Sequence, residues 1–386
     1  MSENKTTTKP KKGVLLPPAV GYGLNVLGYF LSNFRIDLRY WPRFFITLII
    51  NLINWPFRTY ERLFINPRFK NFDPDTELIF ILGHWRSGTT HLHNLLSRDP
   101  RMGFVTTYQS VFPDTLFGKV GYFLFEGFTR LLMPGRRAGD NVVLGTDLPQ
   151  EEEFALGAKT PFSFYYFWMF PKHIDELYTK SLRFIDADLE KLKRWDEDYK
   201  MLISKSLANT GKQFFLSKNP SHTARIDHLL KAFPKAKFIH IHRNPIEVYL
   251  STDNFFKNMM PHLQLQSFSR EEREAQVKNL YVRTMNDFFD QKELIPEGRF
   301  AEVKFEDLEK DPLGTLESIY SEIDISNFEM AKPYFEEYAI TKKGYKKNKH
   351  TVSRELVEEL LDRFHRSFET LNYNIPESIE IIDKDE

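Results

Sequence analysis

The chain has 386 residues, 41% of them hydrophobic, enough to bury a sizeable core in one large or two ordinary domains, and one elaborated α/β domain is the simpler choice. Lysine plus arginine balances aspartate plus glutamate at 53 each, so no overall field favours nucleic acid, and anions must be bound locally. Zero cysteines exclude disulfides, thiolate metal sites and a cysteine nucleophile, and agree with a reducing, cytoplasmic location.

In chain order, the polar and basic start MSENKTTTKPKKG reads as a tail, because it lacks the apolar core and cleavage site of a secretory signal. Residues 41–64, WPRFFITLIINLINWPFRTYERLF, mix aromatic and aliphatic side chains with Arg43, Arg58 and Arg62. Their uninterrupted core is shorter than the roughly 17–25 residues a membrane span needs. Two readings stand: a helix lying in the membrane interface on the inner face, with arginines at the headgroups, or a helix packed on the rest of the protein. Residues 1–70 are thus set apart from a main domain over 71–375, and an acidic tail over 376–386 is expected to fray.

Residues 78–96, LIFILGHWRSGTTHLHNLL, read as a buried strand, a loop bracketed by Gly83 and Gly88, and the first turns of a helix. Backbone N–H groups at such a helix start point at an anion, and the helix dipole adds to the attraction. The spacing matches the nucleotide-binding consensus G-x-x-x-x-G-K-[ST], except that Thr89 holds the lysine position and Arg86 stands three residues earlier. A kinase needs that lysine and an acidic metal ligand after a later strand. The best later strand, Lys237 to His242, ends instead in Arg243. A cation at that place suggests a ligand with an extra anionic group and no need of a metal.

Residues 101–185 alternate proline, glycine and aromatic-rich pieces, as expected of loops and short helices lining a cleft, and residues 186–209 and 269–292 read as surface helices. Lys218 lies just before the helix that leads to the strand ending in Arg243, Ser251 follows Arg243 by eight residues, and Ser353 opens a last helix.

These segments together resemble the sulfotransferase family, over about residues 76–370. The donor of that family is 3′-phosphoadenosine 5′-phosphosulfate. The resemblance implies that Arg86, Ser87, Gly88, Thr89 and Thr90 bind the 5′-phosphosulfate, and that Arg243 and Ser251 bind the 3′-phosphate. The Arg-Ser-Gly-Thr-Thr loop, with Lys218 before Asn219 and Pro220, looks more like the bacterial and tyrosylprotein branch than the phenol-sulfating one. VKFEDLEKDP at 303–312 also resembles a strand end of the family, and Lys342 to Lys347, above all Lys343 and Gly344, look like its Lys-Gly lid. The fold implied is α/β, P-loop nucleotide-kinase-like, with a central parallel sheet and helices on both faces.

Charge accumulates on the bridging oxygen and leaving phosphate in sulfuryl transfer, and Arg86 and Lys218 are the cations assigned to it. The tyrosylprotein branch has a glutamate about twenty residues after the loop arginine, where this chain has Thr106, Thr107, Tyr108 and Gln109. The base is therefore sought in the run Glu151, Glu152 and Glu153, with Glu152 and Glu153 foremost, since clustered carboxylates raise one another's pKa; an ordinary acidic helix start is the competing reading. His84, in the loop, is a second base candidate. His91, His93, His240 and His242 lack a third ligand in view, so no metal is expected. The aromatic run Phe162 to Trp168 suggests an apolar or sugar-stacking acceptor cleft, although such runs are often core. The acceptor is expected to be a hydroxyl or amine on a small molecule, lipid or carbohydrate. A P-loop kinase and a non-catalytic nucleotide-binding membrane scaffold are the rival readings.

Overall fold

The computed structural model describes residues 17–132, 145–340 and 350–383. At its centre is a wholly parallel five-stranded sheet: β1 Leu78–Leu82, β2 Met102–Gly103, β3 Phe214–Lys218, β4 Lys237–His242 and β5 Phe300–Lys304. The spatial order is β2-β3-β1-β4-β5. β1 is apolar at every position because its alternating side chains serve two cores. Phe80 and Leu82 face one side with Phe215 and Phe238, while Ile79 and Ile81 face the other with Leu216 and Ile239. Helices Glu152–Lys159, Leu189–Thr210 and Arg270–Gln291 contribute to the first core; Thr89–Leu96, Pro312–Glu322 and Phe328–Ile340 contribute to the second. This is the expected α/β arrangement, helices on both faces of a parallel sheet.

From β1 the chain passes to β2 and β3 on one side, then returns across β1 to β4 and β5 on the other. The strand order therefore switches direction beside β1, and the carboxyl ends of β1 and β4 bound a crevice of the kind that holds ligands in open α/β sheets. β4 lies directly alongside β1, with Ile81 opposite Ile239 and Leu82 opposite His240.

Two stretches differ from expectation. Residues 17–70 are not a separate unit, since Val26, Phe30 and Phe44 belong to the first core. Helix Trp41–Tyr60 packs through Phe44, Thr47, Asn51, Asn54 and Arg58, and among the described residues no helix is long and apolar enough to cross a membrane. At the other end, Ile379–Ile382 pairs in parallel with His350–Ser353, so residues 379–382 form a strand rather than fraying. Burial of Ile379 in the first core gives that strand an anchor.

Candidate active site

Gly83 (φ +142°) and Gly88 (φ +106°) adopt backbone conformations that side chains disfavour. A Cβ on Gly83 would lie 2.4 Å from the Ile241 carbonyl oxygen, and one on Gly88 would lie 2.4 Å from the Phe305 ring. The loop between them is thus pressed onto the ends of β4 and β5. Its N–H at Gly83 donates to Thr223 Oγ1 at 2.7 Å, and Ser87 Oγ donates to the Ile241 carbonyl at 2.9 Å. Ser87 accordingly fixes the loop with its hydroxyl. Gly88 is the N-cap of Thr89–Leu96 and brings no side chain to it, so the first N–H groups, at Thr89 and Thr90, face the crevice end of the helix.

Arg86 is half-buried and itself has a positive φ of 72°. Its Nε donates to Ser251 Oγ at 3.0 Å, and its guanidinium lies 5.5 Å from the Phe255 ring. Ser251 and Phe255 are one turn apart on helix Pro245–Leu263, whose N-cap is Asn244, so Ser251 sits within the helix and is not its cap. Arg243 closes the other side: Nε donates to Glu247 Oε2 at 2.7 Å, and the guanidinium lies 4.8 Å from the same Phe305 ring that abuts Gly88. The loop, Arg243 and Ser251 therefore meet in one crevice at the ends of β1 and β4. Lys343 and Gly344 lie outside the described residues.

Lys218 ends β3 beside Ile81 of β1 and is buried; its Nζ donates to Glu151 Oε1 at 2.5 Å. Glu151 Oε2 accepts from Tyr165 Oη at 2.6 Å, and the Tyr165 ring lies 6.2 Å from that of Trp85, the neighbour of Arg86.

Glu152 and Glu153 stand elsewhere. Glu152 accepts from Tyr199 Oη at 2.9 Å and from Ser217, and contacts His222 Nε2 at 3.0 Å. Burial would raise its pKa, but His222 and Ser217 outweigh burial and hold it down at about 2. Glu153 accepts from Ser163 Oγ at 2.8 Å, from Asn219 Nδ2 at 3.0 Å and from Arg225. Against the upward push of burial, the Arg225 guanidinium lowers its pKa. The expectation of mutually raised carboxylates fails here because each one has its own cation or hydroxyls. Both are buried ties between Glu152–Lys159 and the segment after β3.

His84 is buried, with Nδ1 2.9 Å from the Trp85 carbonyl and Nε2 without a hydrogen-bond partner. Burial lowers its pKa to about 4, so the ring is neutral near pH 7. Among the described residues no three His, Asp or Glu gather in a metal-binding group. His240 meets Glu302 at 2.9 Å and His242 meets Tyr373 at 3.0 Å instead. The aromatic run Phe162 to Trp168 is buried in the first core rather than lining a cleft, and Trp168 packs on Phe255 beneath Arg86, ring centres 5.8 Å apart. Sequence reasoning passed over Thr223, Phe255 and Glu247, and took in Phe305 only as part of the segment 303–312. Only Glu247 carried a signal, its i,i+4 spacing from Arg243.

The model of the Sulfotransferase family matches residues 78–329. Over 297 residues the chain is 32% identical to omega-hydroxy-beta-dihydromenaquinone-9 sulfotransferase Stf3 of Mycobacterium tuberculosis, covering 74% of each chain. Among solved structures, sulfotransferase STF1 of Mycobacterium tuberculosis H37Rv superposes with a TM-score of 0.61 at 19% identity, over 88% of this chain and 89% of its own. STF9 of Mycobacterium avium does so with a TM-score of 0.61 at 19% identity, over 92% and 98%. The chain belongs to the sulfotransferase family. It is a sulfuryl-transferring enzyme, and the kinase and scaffold readings give way.

Proposed function

We propose that the chain transfers the sulfuryl group of 3′-phosphoadenosine 5′-phosphosulfate to the hydroxyl of a lipid alcohol at a membrane face, without a metal. The observation that carries this is the 3.0 Å hydrogen bond from Arg86 to Ser251, which joins the anion-binding loop to the helix that follows Arg243. A donor with anionic groups at both ends fits that pairing: Arg86 and the N–H groups of Gly88, Thr89 and Thr90 for the phosphosulfate, Arg243 and Ser251 for the 3′-phosphate. A lipid acceptor does not draw on the aromatic run Phe162 to Trp168, which is core and lines neither an apolar nor a sugar-stacking cleft. The 32% identical relative named for an omega-hydroxy dihydromenaquinone supports a lipid acceptor.

The donor brings a sulfuryl group whose leaving group is a 5′-phosphate. Lys218 would turn from Glu151 towards the bridging oxygen, meeting the charge that builds there. Glu151 Oε1, released from Lys218, would take the acceptor proton as the acceptor oxygen bonds to sulfur and the sulfur–oxygen bond to the phosphate breaks. Glu151 is preferred because it is the carboxylate paired with Lys218, whereas Glu152 is tied to Tyr199, Ser217 and His222, Glu153 to Ser163, Asn219 and Arg225, and His84 to the Trp85 carbonyl. His84 holds the loop.

Radiolabelled donor incubated with the enzyme and a lipid extract tests this. Label should pass into the organic phase, Arg86→Ala should abolish transfer, and Glu151→Gln should lower kcat by roughly a hundredfold or more while donor KM stays near wild type. Full activity in Glu151→Gln removes the base assignment, and label found only in water-soluble carbohydrate removes the lipid acceptor.

A further inference from the structure

Helix Trp41–Tyr60 is inside out. A helix on a water-facing surface hides its apolar stripe and shows its polar one. Here Thr47, Asn51, Asn54 and Arg58 point inwards, while Phe45, Ile46, Ile49, Ile53 and Trp55 are each more than half exposed. Three of these inward polar side chains hold backbone carbonyls. Thr47 Oγ1 donates to the Pro18 carbonyl at 2.8 Å, Asn51 Nδ2 donates to that of Ala19 at 2.8 Å, and Arg58 donates to that of Gly21 at 2.7 Å. Turning the helix to hide its apolar face would break all three, so the exposure is built into the fold.

A second helix enlarges the surface. Lys119–Leu132 lies alongside: a Cβ on Gly121 would stand 3.0 Å from Phe57, and Phe57 meets Phe125 edge to face at 5.9 Å. Its Val120, Phe123, Leu124 and Leu131 are all at least half exposed. Leu63 and Phe64, just after the first helix, are exposed as well. Two adjoining helices thus present one apolar face, well beyond scattered single residues.

Cations predominate around it, and Glu126 on the second helix is paired with Arg130 at 2.5 Å. Between residues 38 and 72 the only acid is Glu61, which is buried and paired with Lys205 at 2.8 Å. Arg39, Arg62, Arg68, Lys70 and Lys119 are exposed. Apolar side chains fringed by cations match the acyl and headgroup layers of an anionic bilayer, whereas a second copy would bring like charges together.

We propose that helices Trp41–Tyr60 and Lys119–Leu132 form a docking surface for an anionic lipid bilayer. Arg43 donates to the carbonyls of Pro261 at 3.1 Å and Gln264 at 3.0 Å, tying this surface to the far end of the helix that bears Ser251. Ser251 and Pro261 are ten residues apart, about 15 Å along the helix. The crevice is therefore one short helix away from the lipid. This docking extends the lipid-acceptor reading and supplies its route, yet it stands on surface residues that take no part in the crevice.

Flotation of the full chain with phosphatidylglycerol–phosphatidylcholine vesicles, and with phosphatidylcholine alone, is the test. The chain should float with the anionic vesicles and do so roughly tenfold less with the neutral ones or in high salt. Ile49→Asp combined with Ile53→Asp should remain at the bottom, with an unchanged circular dichroism spectrum and an unchanged thermal shift by 3′-phosphoadenosine 5′-phosphate. Phe123→Asp, on the second helix, should float less. Wild type remaining at the bottom with anionic vesicles overturns the inference. So does flotation of the double variant equal to wild type, or a dimer by light scattering that the double variant splits. Flotation needs neither donor nor acceptor, so its failure and a failure of sulfate transfer are separate results.

Discussion

Gly88 has no room for a side chain. A methyl there would meet the Phe305 ring at 2.4 Å on a backbone with φ of +106°, and Phe305 also supports the Arg243 guanidinium. Gly88→Ala should therefore cost about 1–3 kcal/mol of stability and disturb both ends of the crevice at once. Urea unfolding reads the first effect, and the thermal shift produced by 3′-phosphoadenosine 5′-phosphate reads the second; a stable variant with a full shift would mean that the ring moves freely. The same residue-scale view explains which site residues were legible. Arg86, Arg243 and Ser251 stand at spacings that only a loop-strand-helix frame rationalises, and they converge. Glu152 and Glu153 look like Glu151 in sequence, and what separates them is the partner each finds: Ser217, Tyr199 and His222 for the first, Arg225 and Asn219 for the second, Lys218 for Glu151. Those partners come from β3, from the segment after it and from Leu189–Thr210, dozens of residues downstream, so no local pattern announces them.

At the scale of elements, helix Trp41–Tyr60 is held by charge rather than by oil. Asp114 accepts from Lys159 at 2.9 Å and pairs with Arg58 at 3.2 Å, while Lys205 donates to Glu61 at 2.8 Å, to Asn66 at 2.9 Å and to the Pro113 carbonyl at 2.6 Å. Burial lowers the Lys205 pKa, and the carboxylates of Asp114 and Glu61 work against that fall. Removing one partner of such a buried group leaves charge uncompensated, so Lys205→Met should cost about 3–5 kcal/mol, and adding Glu61→Gln should return part of it. A loss below about 1 kcal/mol in urea unfolding would show that water or a rearranged side chain replaces the ammonium. An apolar run of this kind announces a helix but not its orientation. Sequence left an interfacial helix and a packed helix as alternatives, and the fold makes it a packed helix whose apolar face points outwards, because Arg58, Asn51 and Thr47 are the side chains with partners inside.

Across the whole molecule, buried imidazoles make acid the sensitive direction. Burial lowers the pKa of His84 to about 4 and those of His93 and His242 to about 3, against 6.5 in the unfolded chain. Between those values the unfolded chain binds protons that the folded one refuses. The contribution of each is complete above pH 6.5 and is lost as pH falls towards 3–4. Glu152 acts in the same sense lower down: with a pKa of about 2 when folded and 4.5 when free, its contribution is complete above pH 4.5 and is lost towards pH 2. The urea midpoint should fall steadily from pH 7 to pH 5 and more slowly in His93→Gln; a flat profile would contradict neutral buried rings.

The sequence by itself determined the class of fold, the loop that opens Thr89–Leu96 and the family, because these depend on short-range pattern: an apolar strand, two glycines at fixed spacing, an arginine at a strand end and a serine eight residues on. The tertiary structure alone decided which glutamate faces Lys218, that the Phe162 to Trp168 run is core, and which way helix Trp41–Tyr60 presents its two faces. Those outcomes depend on partners brought together from distant parts of the chain, and the energy of a buried carboxylate, ring or arginine is set by what surrounds it rather than by what adjoins it in sequence.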